Sequence, residues 1–265
     1  MNVFLFEMRQ QLRSLVSDCA IMALIAVALL ALCYPVYSDA KTQAEALLAS
    51  YPPEFLITFG INDDIFTFAG FFGFSYLYLS LTAAIMAAAW GLSVFGRESR
   101  SRCESFLLSK PRSRASVFAA KLAACLACIA VLTIVTVVAC LASQQIVSAD
   151  EVDAGRVALA ALGLTGLELV FMSVGAAIAC LARRIRSISG VATALGIGGF
   201  VLSSLPSLLD EEVLKFASPF SWFDPMLIFR EGSFNAEHLA MAAAVVVVFL
   251  AVSFVCSTRR DARAA

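Results

Sequence analysis

Few residues in this chain could do chemistry, and they are far apart. The single histidine, His238, opens the last apolar stretch, whereas Ser93, in Gly91-Leu92-Ser93, lies near the opposite end of the second one. A serine nucleophile must lie within about 3 Å of its base, and opposite depths in a membrane would separate these two. One histidine also cannot complete a His-Glu-x-x-His metal site. The sequence therefore favours neither an intramembrane protease nor a metalloenzyme.

Cys125-x-x-Cys128 has the spacing of a redox or metal motif but lies within the third apolar stretch. Either function would need a second pair of ligands or a reactive setting, so we interpret the two cysteines as packing residues. The chain also contains no Gly-Lys dipeptide, and so lacks the Gly-x-x-x-x-Gly-Lys-Ser/Thr loop that binds phosphate. We expect no catalytic residue, metal or cofactor in this chain. If a nucleotide drives it, another chain binds that nucleotide.

Glu168 is the one carboxylate deep within an apolar stretch, near the middle of the fourth. An ionised side chain is costly at that depth, so one hypothesis is that Glu168 contacts a proton, an ion or a substrate on a translocation path. The other hypothesis is a protonated Glu168 hydrogen-bonded to a neighbouring helix, with help from Thr165 or Ser173. The sequence leaves both open.

A basic, amphipathic segment from Arg97 to Lys121 separates the second and third apolar stretches. Glu104 to Ser109 can form a short helix, which Pro111 ends. That helix would present Phe106, Leu107 and Leu108, with Arg100, Arg102, Lys110 and Arg112 around them. Apolar anchors ringed by charge suit the docking of a soluble partner. The alternative is a basic loop that contacts anionic lipid.

Composition and hydropathy place these residues in a membrane. The chain has 265 residues, 61% of them hydrophobic and 15% charged, against about 45–50% and 25% in a soluble domain. Six stretches reach the length of about 20 residues that spans a bilayer, and the alternation of a β-barrel is absent. We predict an all-α polytopic membrane protein, a single transmembrane domain over residues 1–265 with spans at 19–37, 66–95, 117–143, 157–182, 188–209 and 238–257.

The basic residues predict the orientation of the spans. With the N-terminus inside, all 19 Lys and Arg residues face the cytoplasm except Lys41, Arg156, Lys215 and Arg230. This asymmetry follows the positive-inside rule. We therefore predict a multi-pass protein of the plasma membrane with both termini in the cytoplasm. No external loop carries a cysteine, so no external disulfide is expected.

Residues 2–16 carry an amphipathic pattern. Four apolar residues at helical spacing lie opposite three polar ones: Phe4, Met8, Leu12 and Leu15 against Glu7, Gln11 and Ser14. This pattern predicts an interfacial helix on the cytoplasmic surface before the first span. The alternatives are a simple extension of that span and a signal peptide, although the apolar stretch exceeds the usual 7–15 residues of the latter.

Two further patterns concern packing and the membrane surface. Gly190, Ala194 and Gly198 recur every fourth residue and predict a close-packing helix face. The segment Leu205–Phe220 resembles a short interfacial or re-entrant helix. Two prolines then interrupt regular structure in Ser218–Pro225, and its aromatic residues are predicted to lie at headgroup depth.

Taken in order, these features resemble a permease subunit of the ABC-2 type, the membrane half of a bacterial ATP-binding cassette transporter. In that family a cytoplasmic coupling helix between spans 2 and 3 has the pattern Gly-Thr-x-Glu-x-Leu-Leu-Ser-x-Pro-x-Ser-Arg, followed by a Lys at the start of span 3. The matching residues here are Glu104, Leu107, Leu108, Ser109, Pro111, Ser113, Arg114 and Lys121, while Ser101 and Arg102 replace the Gly-Thr pair. Ser218–Pro225 also resembles the family's segment before the last span.

The resemblance implies a dimer with a second permease subunit, in the same lipid bilayer, with two cytoplasmic ATPase subunits that bind ATP and Mg. It implies export by alternating access, and no nucleic acid partner. It places the ATPase-docking surface on the coupling helix: Arg100, Glu104, Phe106, Leu107, Leu108, Lys110 and Arg112.

Two other functions remain as alternatives. An ion-coupled secondary transporter would need broken spans or several intramembrane charges, and Glu168 is the main candidate for one. A membrane scaffold or sensor subunit would use the basic segment only to recruit a partner.

Overall fold

The computed structural model describes residues 3–39, 41, 65–97, 114–147, 152–182, 185–209 and 218–259. The elements within these ranges are helices. They are α1 (Val3–Val27), a π-helical turn (Ala28–Cys33), α2 (Tyr34–Asp39), α3 (Phe68–Phe95), α4 (Arg114–Val147), α5 (Ala154–Leu181), α6 (Ile188–Leu209), a 3-10 turn (Pro219–Phe223), α7 (Pro225–Glu231) and α8 (Ala236–Arg259). The all-α prediction is confirmed.

Five helices are long and apolar enough to cross a membrane: Val3–Ser38, Phe68–Phe95, Arg114–Val147, Ala154–Leu181 and Ala236–Thr258. They correspond to five of the six predicted spans. The remaining one coincides with α6, a helix of 22 residues, of which the fully described part, Ile188–Ser203, forms a shorter apolar helix. The described residues thus contain five helices long enough to span a membrane and one shorter apolar helix, as expected of a multi-pass helical membrane protein.

The N-terminus differs from its prediction. α1 runs without a break from Val3 into the first span, so the expected separate helix on the membrane surface is wrong and the simple extension is right. The face that α1 buries includes the polar Glu7 and Gln11, whereas Leu12 and Val16 are 52% and 62% exposed. The reason is that both polar side chains find distant partners, Gln11 with Ser93 on α3 and Glu7 with Arg97 just beyond its end, which local periodicity cannot reveal.

α3 and α5 form the centre of the bundle. They run in the same direction, with Tyr76 beside Gly163 near one end and Ala88 beside Gly175 near the other. A Cβ on Gly175 would lie 2.5 Å from the carbonyl oxygen of Ala88, and one on Gly91 would collide with the carbonyl oxygen of Met172. The two backbones are therefore in direct contact, as small residues permit between membrane helices.

The small-residue face predicted on α6 does not pack against the other described helices. Gly190, Ala194 and Gly198 are exposed, and a Cβ on Gly198 would meet nothing within 4 Å. The neighbouring stripe packs instead, with Gly196 against Ile85 and Gly199 against Phe171 and Phe220. Spacing identified a small face, but it could not say which face meets a neighbouring helix.

The segment before the last span packs against the bundle. Trp222 and Phe223 are buried, and Phe223 lies over Gly166 of α5. They pack against the bundle because the close approach at Gly166 accommodates an aromatic ring, and their predicted headgroup depth stays a prediction. Asp224 caps α7 by accepting a hydrogen bond from the Met226 amide at 2.9 Å. Residues 210–217 of the predicted re-entrant helix lie outside the described residues.

Candidate functional site

The predicted docking residues lie between residues 98 and 113, outside the part of the chain that the structure describes. These residues are Arg100, Glu104, Phe106, Leu107, Leu108, Lys110 and Arg112, and their role stays a prediction. The structure does describe the two helices from which this segment emerges. Arg97 follows the end of α3, and Arg114 begins α4.

Arg97 pairs with a carboxylate on α1. Its Nη1 lies 2.7 Å from Oε2 of Glu7, and the Glu7 side chain is only 3% exposed. A carboxylate that is taken out of water requires such a charged, hydrogen-bonding partner. The ion pair therefore links the first turns of α1 to the last residue described before the segment 98–113.

Two more polar contacts continue along the same pair of helices. The Gln11 Nε2 donates to the Ser93 Oγ at 2.6 Å, and the Trp90 Nε1 donates to the Asp18 Oδ2 at 2.9 Å. Residue numbers rise on α1 as they fall on α3, so the two helices run antiparallel. On each helix the contacts recur at intervals near whole turns, which places them on one face. We call the pairs Glu7–Arg97, Gln11–Ser93 and Asp18–Trp90 the polar ladder.

Two cations sit at the carbonyl ends of helices beside the ladder. Lys121 is 5% exposed, and its Nζ donates to the Val94 carbonyl oxygen in the last turn of α3 at 3.0 Å. Arg114 donates from Nη1 to the Thr258 carbonyl oxygen at the end of α8, at 2.9 Å. The last carbonyls of a helix lack partners within the helix and carry partial negative charge, so both contacts are favourable.

Glu168 is completely buried in α5. Neither of its carboxyl oxygens has a hydrogen-bond partner among the described residues. Thr165 instead pairs with Thr133 at 2.8 Å, and Ser173 donates to the Val170 carbonyl oxygen at 2.7 Å. The hypothesis in which Thr165 or Ser173 satisfies Glu168 is therefore not what the structure shows. The nearby Tyr76 hydroxyl is also buried without a partner in the described residues.

The other chemical candidates occupy ordinary positions. Cys125 and Cys128 are buried in the apolar core, as packing residues would be. Within the described residues no group of three or more His, Cys, Asp or Glu side chains could hold a metal ion. Ser93 bonds to Gln11 and to the Trp90 carbonyl oxygen at the end of α3, whereas His238 lies in the first turn of α8.

Comparison with known families decides the class of this protein. A family model described as ABC-2 family transporter protein matches residues 1–262. The chain belongs to the ABC-2 transporter family. Permeases of this family are membrane components that typically work with an ATPase partner. No curated protein matches this ABC-2 family chain.

Sequence analysis of this ABC-2 family protein missed the polar ladder. Glu7 and Gln11 were assigned to a solvated face, and Ser93 was considered only as a nucleophile. One clue was available: Glu7 and Arg97 lie near the same end of two neighbouring spans, on the side where the basic residues collect. Charges of opposite sign at one membrane depth are candidates for pairing.

Lys121 provides a test of the contacts around the ladder. We expect Lys121→Met to destabilise the isolated permease by about 1–3 kcal/mol, because the buried Val94 carbonyl oxygen would lose its donor. Thermal unfolding in detergent measures the effect. Arg13→Met, which removes a cation from the exposed face of α1, is the control and should leave the melting temperature nearly unchanged. Equal melting temperatures for both variants would contradict the Lys121 contact.

Proposed function

We propose that this chain is the membrane-spanning permease subunit of an ATP-binding cassette exporter, in which a separate cytoplasmic ATPase drives alternating access. The observation that carries the proposal is the family match along residues 1–262. ATP and Mg would bind in the ATPase. The permease would supply the translocation path and the surface that receives the ATPase.

The proposed topology has six spans with both termini in the cytoplasm of a bacterial cell. Five long apolar helices support it, with α6 as the fifth span in chain order. The distribution of Lys and Arg supports the orientation, since it places Arg97 and Arg114 together on the inner side. The segment 98–113 would then be cytoplasmic, where a soluble ATPase could reach Leu107 and Leu108.

The proposed partner in the membrane is a second permease subunit, either a copy of this chain or a related one. The outward face of α6 supports this, because Gly190, Ala194 and Gly198 are exposed beside Ile197 and Val201. Small residues let helices approach closely in a bilayer. A neighbouring subunit could therefore pack where this chain leaves the face uncovered.

Reconstitution tests the proposed function against an ion-coupled transporter and a scaffold. The permease is purified from native membranes, its bound ATPase is identified, and the complex is placed in vesicles. We expect transport to require ATP and to continue when ion gradients are collapsed. Transport by the purified permease under an ion gradient alone would overturn the proposal in favour of a secondary transporter. ATP hydrolysis that no transported compound stimulates would favour the scaffold.

Glu168 is proposed to lie on the translocation path. Its buried, unpartnered carboxyl supports this, because such a group costs free energy unless another state or a ligand satisfies it. We expect Glu168→Gln to lower ATP-driven transport and to change its pH dependence while the permease still folds. The measurement is the rate of ATP-driven transport by the wild type and the variant at evenly spaced values from about pH 5 to about pH 9. A variant with wild-type rates at every pH would remove Glu168 from the path.

A further inference from the structure

The segment 98–113 is flanked by two arginines, and each of them bonds to another helix. Arg97 bonds to Glu7 of α1, and Arg114 bonds to the Thr258 carbonyl oxygen of α8. α1 and α8 are the first and last helices of the chain, so neither contact is a consequence of sequence proximity. A displacement of the segment therefore acts directly on α1 through Arg97, as well as on α3.

The link to α1 is built to resist separation. Glu7 is almost completely buried, so losing Arg97 would remove a charged partner from a carboxylate inside the protein, and breaking a buried ion pair is strongly destabilising. Gln11 and Asp18 add hydrogen bonds to Ser93 and Trp90 further along the same face. Polar contacts of this kind have a defined register, whereas apolar side chains allow helices to slide past one another.

α1 can carry a displacement deep into the bilayer. It is a continuous helix from Val3 to Val27, and the π-helical turn extends it to Cys33. Leu15, Met22 and Ala26 continue the buried face that Glu7 and Gln11 begin. Movement at Glu7 would therefore be transmitted along one continuous helix toward the far end of the first span.

We propose that the polar ladder is a mechanical latch, in which Glu7 positions Arg97 so that α1 moves together with α3 when the ATPase displaces the segment 98–113. This inference rests on the proposed function. It assigns to Glu7, Gln11 and Asp18 the role of positioning residues in energy coupling. If the latch is absent, displacement of the segment 98–113 moves α3 but does not move α1.

The native cysteine near the far end of the first span, Cys33, can report movement of α1. Cys33 faces outward from the bundle near the end of the first apolar helix at Ser38, and its labelling rate with N-ethylmaleimide can be followed after Cys19, Cys103 and Cys256 are changed to Ser. In the permease–ATPase complex we expect ATP plus vanadate to change the Cys33 labelling rate. In Glu7→Gln we expect that change to be about fivefold smaller, the low end of the range for coupled sites, while complex formation and ATP hydrolysis persist.

Rescue separates a latch from a general structural role. Glu7→Arg and Arg97→Glu should each weaken the ATP-dependent change at Cys33, and the variant that carries both should recover most of it. Arg13→Gln removes a charge from the exposed side of the same helix and should behave as wild type. In the isolated permease, Glu7→Gln combined with Arg97→Gln should lower the melting temperature by less than the two separate losses added together.

The outcomes distinguish the latch from the proposed function. If the wild-type complex hydrolyses ATP but labelling of Cys33 never responds, α1 does not move with the segment and the latch is wrong. An unchanged response in Glu7→Gln would also overturn it, and the permease assignment would stand in both cases. If no ATPase associates with the wild-type chain, the proposed function fails and the latch fails with it.

Discussion

Association with the ATPase should be lost completely when Leu107 and Leu108 are both replaced by Asp. The two leucines match the family's coupling-helix pattern, and apolar anchors at the centre of an interface commonly carry most of its binding free energy. Two carboxylates at that centre would have to be desolvated without partners. Affinity purification of the tagged permease from membranes, followed by detection of the ATPase, measures the effect.

The matched control for this prediction adds the same charge to the same segment. Ser99→Asp with Ser113→Asp places two carboxylates at its ends and leaves both leucines in place. We expect this control to retain the ATPase and both double variants to insert into the membrane in equal amounts. Normal assembly of the leucine double variant would contradict the docking surface. Loss of the ATPase in both would indicate that net charge, rather than the apolar anchors, governs docking.

Hydropathy predicted the spans well because the bilayer sets their length. The prediction of 66–95 compares with Phe68–Phe95, and that of 188–209 coincides with α6. The third span was underestimated, since Arg114–Val147 extends beyond 117–143 at both ends. A helix can continue past the hydrocarbon when polar residues such as Gln144 find partners, and its Nε2 donates to the Val152 carbonyl oxygen.

The partners of polar residues could not be predicted in the same way. The amphipathic pattern of residues 2–16 correctly indicated a helix, but it assigned Glu7 to water because periodicity contains no information about Arg97, which is distant in the sequence. The same limit applied to α6, where a small-residue face was recognised but its neighbour was not. Glu168 was identified because a carboxylate within an apolar stretch is conspicuous in the sequence itself.

The contact between α3 and α5 also escaped sequence analysis, although it organises the bundle. Gly91 follows Ala83 and Ala87 at intervals of four residues, and Gly175 precedes Ala179 at the same interval, but sequence analysis picked out this pattern only on α6. Their role follows only from the alignment of two parallel helices that α4 separates in the sequence.

Gly91→Ala should strongly destabilise the permease, and Gly91→Leu should prevent it from folding. A single methyl group at residue 91 collides with the Met172 carbonyl oxygen and approaches the Ala176 amide nitrogen at 2.8 Å. Backbone cannot move aside as a side chain can, so the two helices must separate. We expect a loss of at least about 1–3 kcal/mol, the usual cost of overpacking, measured by thermal unfolding in detergent with size-exclusion chromatography.

Gly198→Ala is the matched control in the isolated, monomeric permease, because its methyl group would meet nothing within 4 Å among the described residues. Replacing Gly by Ala within a helix favours folding by up to about 1 kcal/mol. The two substitutions are chemically identical, so we expect melting temperatures that change in opposite directions. Gly175→Ala should follow Gly91→Ala, since its methyl group meets the Ala88 carbonyl oxygen at 2.5 Å. If Gly91→Ala melted as high as Gly198→Ala, the backbones of α3 and α5 could not be in contact.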